Sequence, residues 1–221
     1  MVSGNPLQSI DEQLSPLQEL VIASARDQRI WLRLLLLLDA RCSRICRNAR
    51  EMRMGQIRLA WLRDALGVSV DNVTESGDPL VDTLRAHPAY SASQASLAQI
   101  INGWEELLIG LNTAEVSSGQ DSMATLRAFA ESRGGGFFGA VLAAMDQDNS
   151  PPIEQAGAIW AVWDIAGQLT HDPLVPAAVL LGAELASGAS LPSLPRPLAI
   201  LARLSHADLL RRRGAPPAMT F

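Results

Sequence analysis

Apolar residues recur at three- and four-residue intervals through most of the chain. Between Ser93 and Leu111, the side chains Leu97, Ile100, Ile101, Trp104, Leu107, Leu108 and Leu111 fall on one face of a helix, which predicts a long amphipathic element with a core stripe. Helix punctuation surrounds it. Ser15-Pro16-Leu17-Gln18 combines an N-cap, a proline at the first helical position and a glutamine able to complete a capping box. A helix is therefore expected from Ser15 toward Arg50, with a bend near Asp27. A second is expected over Gln56 to Leu66, closed at Gly67. Asp78-Pro79 opens a short one that must stop before His87-Pro88, because the residue preceding proline is pushed out of the α region. Asp121 can cap a helix reaching Glu131, after which Gly134-Gly135-Gly136 is expected to break the chain ahead of the apolar segment Phe137 to Met145. Ser150-Pro151-Pro152 and Asp172-Pro173 are two more cap-plus-proline starts, for helices of about 18 and about 15 residues, and the last helix lies between Pro195 and Gly214. No alternating strand run or hairpin signal interrupts the series. The expected architecture is all-α, an antiparallel bundle of about eight helices in one domain over residues 15–214, with an N-terminal extension at 1–14 and a loose tail at 215–221.

Composition narrows the class. The 221 residues are 48% hydrophobic and 19% charged, a balance that folds rather than stays disordered. The longest aliphatic run, Leu34 to Leu38, is far short of the ~20 residues a membrane span requires. The N-terminus has neither a basic start nor an uninterrupted apolar stretch, so the expected location is cytoplasmic. A net charge of −5 gives no reason to expect nucleic acid. That average hides an asymmetry: Arg26 to Leu66 carries ten arginines against Asp27, Asp39, Glu51 and Asp64, and the chain has no lysine. Cys42 and Cys46, four residues apart with no histidine nearby, read as reduced thiols in or near the core rather than as ligands.

The segment Glu51 to Leu66, EMRMGQIRLAWLRDAL, resembles the "EP-x-x-G-x-IRL-x-WWRDAL" stretch of the squalene/phytoene synthase family. It is especially similar to bacterial members close to the mitochondrial complex I assembly-factor branch. Gly55, Arg58, Leu59, Trp61, Arg63, Asp64, Ala65 and Leu66 match, while Met52 and Leu62 depart from the pattern. GAIWAVWD at Gly157 to Asp164 and LPRPLAILARLSHADLLRR at Leu194 to Arg212 resemble two later helices of the same family in order and spacing. The resemblance implies the isoprenoid-synthase fold, somewhat shortened, in which helices surround an apolar cavity. Active members condense two prenyl diphosphates through Mg2+ held by two aspartate-rich motifs, because hard Mg2+ needs paired carboxylates that bridge to diphosphate.

Those motifs are degenerate here. Laying "FCR-x-x-DD-x-x-D" onto Leu38 to Arg47 puts Ser43, Arg44 and Arg47 at the three acidic positions. A guanidinium stays protonated and has no lone pair for a metal. The second motif puts Gln168 and Asp172 at its two aspartate positions, and Asp172, immediately before Pro173, also reads as a helix N-cap. No catalytic residue and no metal site is therefore assigned, and no cofactor is expected unless the chain is an active prenyltransferase, when Mg2+ is required.

Two uses of the arginines stay open. Arg44, Arg47, Arg58 and Arg63 are candidates to hold a phosphate or carboxylate without metal, or the arginines of this region pair internally with Asp39, Glu51 and Asp64. Trp61, Trp104, Trp160 and Trp163 are expected in the core, or lining a ligand tunnel. The favoured function is a non-catalytic binding or assembly role toward a protein partner or an isoprenoid or lipid ligand. The alternative is an active prenyltransferase in isoprenoid biosynthesis that draws carboxylates from Asp164, Asp172, Glu105 or Glu106. No transmembrane segment is expected, though amphipathic helices permit docking on a membrane surface.

Overall fold

A computed structural model describes residues 12–48, 51–67, 75–113, 119–169 and 174–214. Among them the chain forms nine α-helices and one 3-10 turn, with no strand. Helix α1, Pro16–Ser24, starts at the capping box read from the sequence: the Gln18 amide donates to Ser15 Oγ, and the Ser15 amide donates to Gln18 Oε1 at 2.8 Å. It ends just before a 3-10 turn, Arg26–Gln28, which supplies the bend expected near Asp27. Helix α2, Arg29–Asn48, follows. Five consecutive leucines, Leu34 to Leu38, are all buried in it, so the middle of α2 is covered on every side while its two ends reach the surface.

Helix α3, Met52–Leu66, buries Leu59, Leu62 and Leu66. Helix α4, Pro79–Arg85, is capped by Asp78, whose carboxylate accepts from the Leu80 and Val81 amides, and it stops ahead of His87-Pro88. Helices α5, Tyr90–Thr113, and α6, Gly119–Ala143, pair along their lengths, and α7, Pro151–Gln168, packs on the other side of α6. Helices α8, Leu174–Ala186, and α9, Arg196–Gly214, close the bundle against α7. The cap expected at Asp172 lies outside the described residues, as do residues 1–11 and 215–221.

The expected break at Gly134-Gly135-Gly136 is wrong: all three glycines lie inside the continuous helix α6. A Cβ at Gly134 would stand 2.2 Å from the Gly157 backbone of α7, and one at Gly136 would stand 2.6 Å from the Ser96 carbonyl of α5. These glycines are contact points where two neighbouring helix backbones reach α6. Each costs about 1 kcal/mol in helix propensity relative to alanine. Burial of Phe129, Phe137 and Phe138 along the same helix contributes roughly 2–3 kcal/mol per side chain and outweighs that cost.

Candidate functional site

On α2, Asp39 and Ser43 are one turn apart and share a face; on α7, Asp164 and Gln168 do the same. Ser43 Oγ donates to Gln168 Oε1 at 2.7 Å, and Gln168 Nε2 donates to Asp164 Oδ2 at 2.7 Å. The two positions that the resemblance places in opposite metal motifs are therefore in direct contact.

One guanidinium organises the rest. Arg133, completely buried on α6, donates from Nε to Asp39 Oδ1 at 2.7 Å and from Nη2 to Asp39 Oδ2 at 2.6 Å. It also donates to Asp164 Oδ2 and, from Nη1, to the Ala161 carbonyl. Trp104 Nε1 donates to Asp39 Oδ1 at 2.8 Å. The guanidinium carbon lies 4.8 Å from the ring centre of Trp104, 5.4 Å from Phe129 and 4.6 Å from Trp160, so cation–π attraction adds to the ion pairs. Burial opposes the Arg133 charge, but the two carboxylates outweigh it and raise its pKa. For Asp164, burial raises the pKa and prevails over the opposite pull of Arg133, with the Asp39 charge pushing the same way as burial.

Arg133 and Asp39 were missed as functional candidates, although the sequence carries a signal for both. Asp39 directly continues the apolar run Leu34 to Leu38, and Arg133 stands four residues after Phe129 and four before Phe137, on the helical face those two rings mark. Such charges are buried only when paired.

This donor set does not fit Mg2+. Both oxygens of Asp39 and Oδ2 of Asp164 are spent on Arg133, Trp104 and Gln168. Ser43 and Gln168 satisfy one another, and Arg44 and Arg47 offer no lone pair. Among the described residues no three or more His, Cys, Asp or Glu side chains form a group that could hold a metal ion. The acidic residues put forward as substitutes are committed elsewhere or apart: Glu105 pairs with Arg63 at 2.5 Å, Glu106 is exposed, and Asp172 lies outside the described residues.

The four arginine candidates are not gathered into one cluster. Arg44 and Arg58 share a cleft of about 690 Å³ between α2 and α3, lined also by Ile45, Asn48, Ile57 and Trp61. Arg47 is exposed outside that lining, and Arg63 reaches Glu105 and Asn102 instead. Internal pairing of the arginines also occurs, but not with the expected partners. Glu12 takes Arg41 through two bonds of 2.8 and 2.9 Å and Arg44 through one, and Asp78 takes Arg41 as well. Arg58 has no ion pair among the described residues.

Of the signature residues, Gly55 is buried in α3, whereas Asp64 and Arg58 are exposed. Trp61 corrects its expected place in the core: it is 46% exposed, together with Met54 at 46% and Ile57 at 60%. Helix α3 buries its leucines on the opposite face, leaving an i, i+3, i+7 stripe outside. Trp104 and Trp160 are buried as expected, and half-buried Trp163 donates to Asp208 at 2.9 Å. Cys42 and Cys46 are free and buried, and burial pushes the Cys46 thiol up to about 12.

Compared with protein-family models, with curated proteins and with solved structures, the chain gives no match.

Proposed function

We propose that this chain is a non-catalytic protein of squalene/phytoene-synthase-like architecture that acts by binding, as a docking or assembly factor for a protein partner. The observation that carries this reading is the contact of Ser43 with Gln168 beside the Arg133 ion network. The resemblance would put diphosphate and metal between these helices, and the space is taken by side chains that satisfy one another. Among the described residues, what remains open beside them is a cavity of about 250 Å³ lined by Leu36, Trp160, Trp163, Asp164 and Gln168.

The outward stripe of α3 supports a partner surface. Met54, Ile57 and Trp61 recur at the spacing by which one helix face engages another protein. Tryptophan and arginine are both among the residue types enriched at binding hot spots. Arg58 alongside gives the stripe a preference for an acidic rim on the partner.

Two experiments test the reading. Purified protein incubated with farnesyl or geranylgeranyl diphosphate and Mg2+ is expected to give no product above a buffer control, and turnover would establish the prenyltransferase alternative instead. A photo-crosslinking residue placed at Trp61 is expected to capture a discrete partner in cells, while one at exposed Leu180 on α8 captures none. Equal labelling from both positions, or none from position 61, would reject the α3 face as the docking surface.

A further inference from the structure

A second groove, of about 730 Å³, lies where α1 and the 3-10 turn meet α9, on residues apart from the α2–α3 cleft. Its apolar part includes Leu20, 60% exposed, and Leu204, 43% exposed. Four arginines line it: Arg26 and Arg29 from the turn and the start of α2, and Arg196 and Arg203 from α9. None of the four has an ion pair among the described residues. The nearby carboxylate of Glu19 is already held by Arg33 at 2.6 Å, and Asp27 is exposed on the turn. Arg26 adopts φ 47, a left-handed conformation that is unfavourable for a residue with a side chain.

Four like charges around exposed aliphatics are unfavourable in water and become favourable when an anionic amphiphile covers them. The chain as a whole is acidic, so this face differs in sign from the average surface. The groove has no aromatic anchor of the kind that marks protein hot spots. Isolated leucines flanked by long cationic side chains suit a headgroup layer, where aliphatic tips enter the acyl boundary and guanidiniums meet phosphates.

We propose that the α1–α9 face docks on an anionic phospholipid surface, with Leu20 and Leu204 inserted and the four arginines on the headgroups. The proposal is independent of the α3 docking surface and of any catalytic status.

The test is co-sedimentation of the full chain with vesicles of phosphatidylcholine, with and without a one-third share of phosphatidylglycerol, at low and high salt. Binding is expected only to the anionic vesicles and is expected to weaken with salt. Replacing Arg196 and Arg203 together by glutamine, R196Q/R203Q, is expected to lower the partition coefficient roughly 30-fold, about fivefold per arginine near a charged surface. L20S/L204S is expected to weaken binding at low salt as well. Both pairs of sites are exposed, and far-ultraviolet circular dichroism checks that each variant keeps its helices. Equal binding to neutral vesicles, or unchanged binding of R196Q/R203Q, would overturn the proposal. So would failure to bind anionic vesicles while an acidic amphipathic helical peptide binds the same face.

Discussion

Arg133 and Asp39, on helices α6 and α2, form a two-point ion pair inside the bundle with both side chains shielded from solvent. Removing one member leaves a buried charge without compensation. Arg133→Met is expected to cost about 3–5 kcal/mol, read as a fall in the urea midpoint. In a double-mutant cycle with Asp39→Leu the second substitution is expected to cost much less than it does alone, by at least about 1 kcal/mol. Additive effects would show that the pair is not coupled.

The three adjacent glycines of α6 separate a packing role from a conformational one. At Gly134 an added methyl meets the α7 backbone, whereas at Gly135 its nearest neighbour is the Glu154 side chain at 3.9 Å. Gly134→Ala is expected to destabilise by at least about 2 kcal/mol. Gly135→Ala is expected to stabilise by about 0.5–1 kcal/mol, through helix propensity and a less flexible unfolded chain. Thermal melts check both, at about 2–4 °C per kcal/mol for a chain of this size.

Asp78 gives a pH signature. Burial opposes its ionisation, but the bond and charge of Arg41, helped by the Val81 and Leu80 amides, hold it below the usual carboxylate range. A carboxyl depressed on folding contributes stability above its unfolded pKa and loses it as pH falls through the folded one. Asp78→Asn keeps a competent helix cap while removing the charge. Urea unfolding should show a loss on the order of 1 kcal/mol or less at neutral pH, which begins to shrink below about pH 4 and vanishes only once the pH is below the depressed pKa of the folded carboxyl. Asp164, raised on folding, contributes with the opposite sign: stability is gained as pH falls through its raised pKa toward the unfolded value.

Tryptophan fluorescence reports the outward face of α3. Trp31, Trp104 and Trp160 are buried and Trp163 is half-buried, which leaves Trp61 as the accessible one among the five. Trp61→Phe is expected to remove most of the iodide-quenchable emission and to change stability by less than about 1 kcal/mol. Quenching that persists in the variant would place another tryptophan at the surface.

The cysteines offer a chemical check. The thiolate is the reacting form, and burial holds the thiols of Cys42 and Cys46 protonated at neutral pH. Both are expected to react with a disulfide reagent in urea at least about 100-fold faster than in the native protein, because reaction waits on rare opening. Prompt labelling of the folded chain would contradict their place in the core.

The helices were legible because their signals are local. The Ser15 capping box, the Asp78-Pro79 start and the Pro88 stop act within one turn of backbone, and the structure returns each of them. The apolar stripe of α5 was equally plain, since period alone decides which face is buried. Tertiary structure decided what depends on partners far along the chain. A run of glycines reads as a break when only propensity is weighed, and becomes continuous helix when two other backbones need the space of a methyl group. Trp61 reads as core by its hydrophobicity, yet the leucines of α3 fill the inward face first. Ser43 and Gln168 were marked by resemblance as separate departures from an acidic pattern. That they touch, and that Arg133 ties Asp39 to Asp164 beside them, follows from packing that joins residues 125 and 94 positions apart. No local rule carries contacts of that range, because their free energy is realised only once the whole bundle excludes water around them.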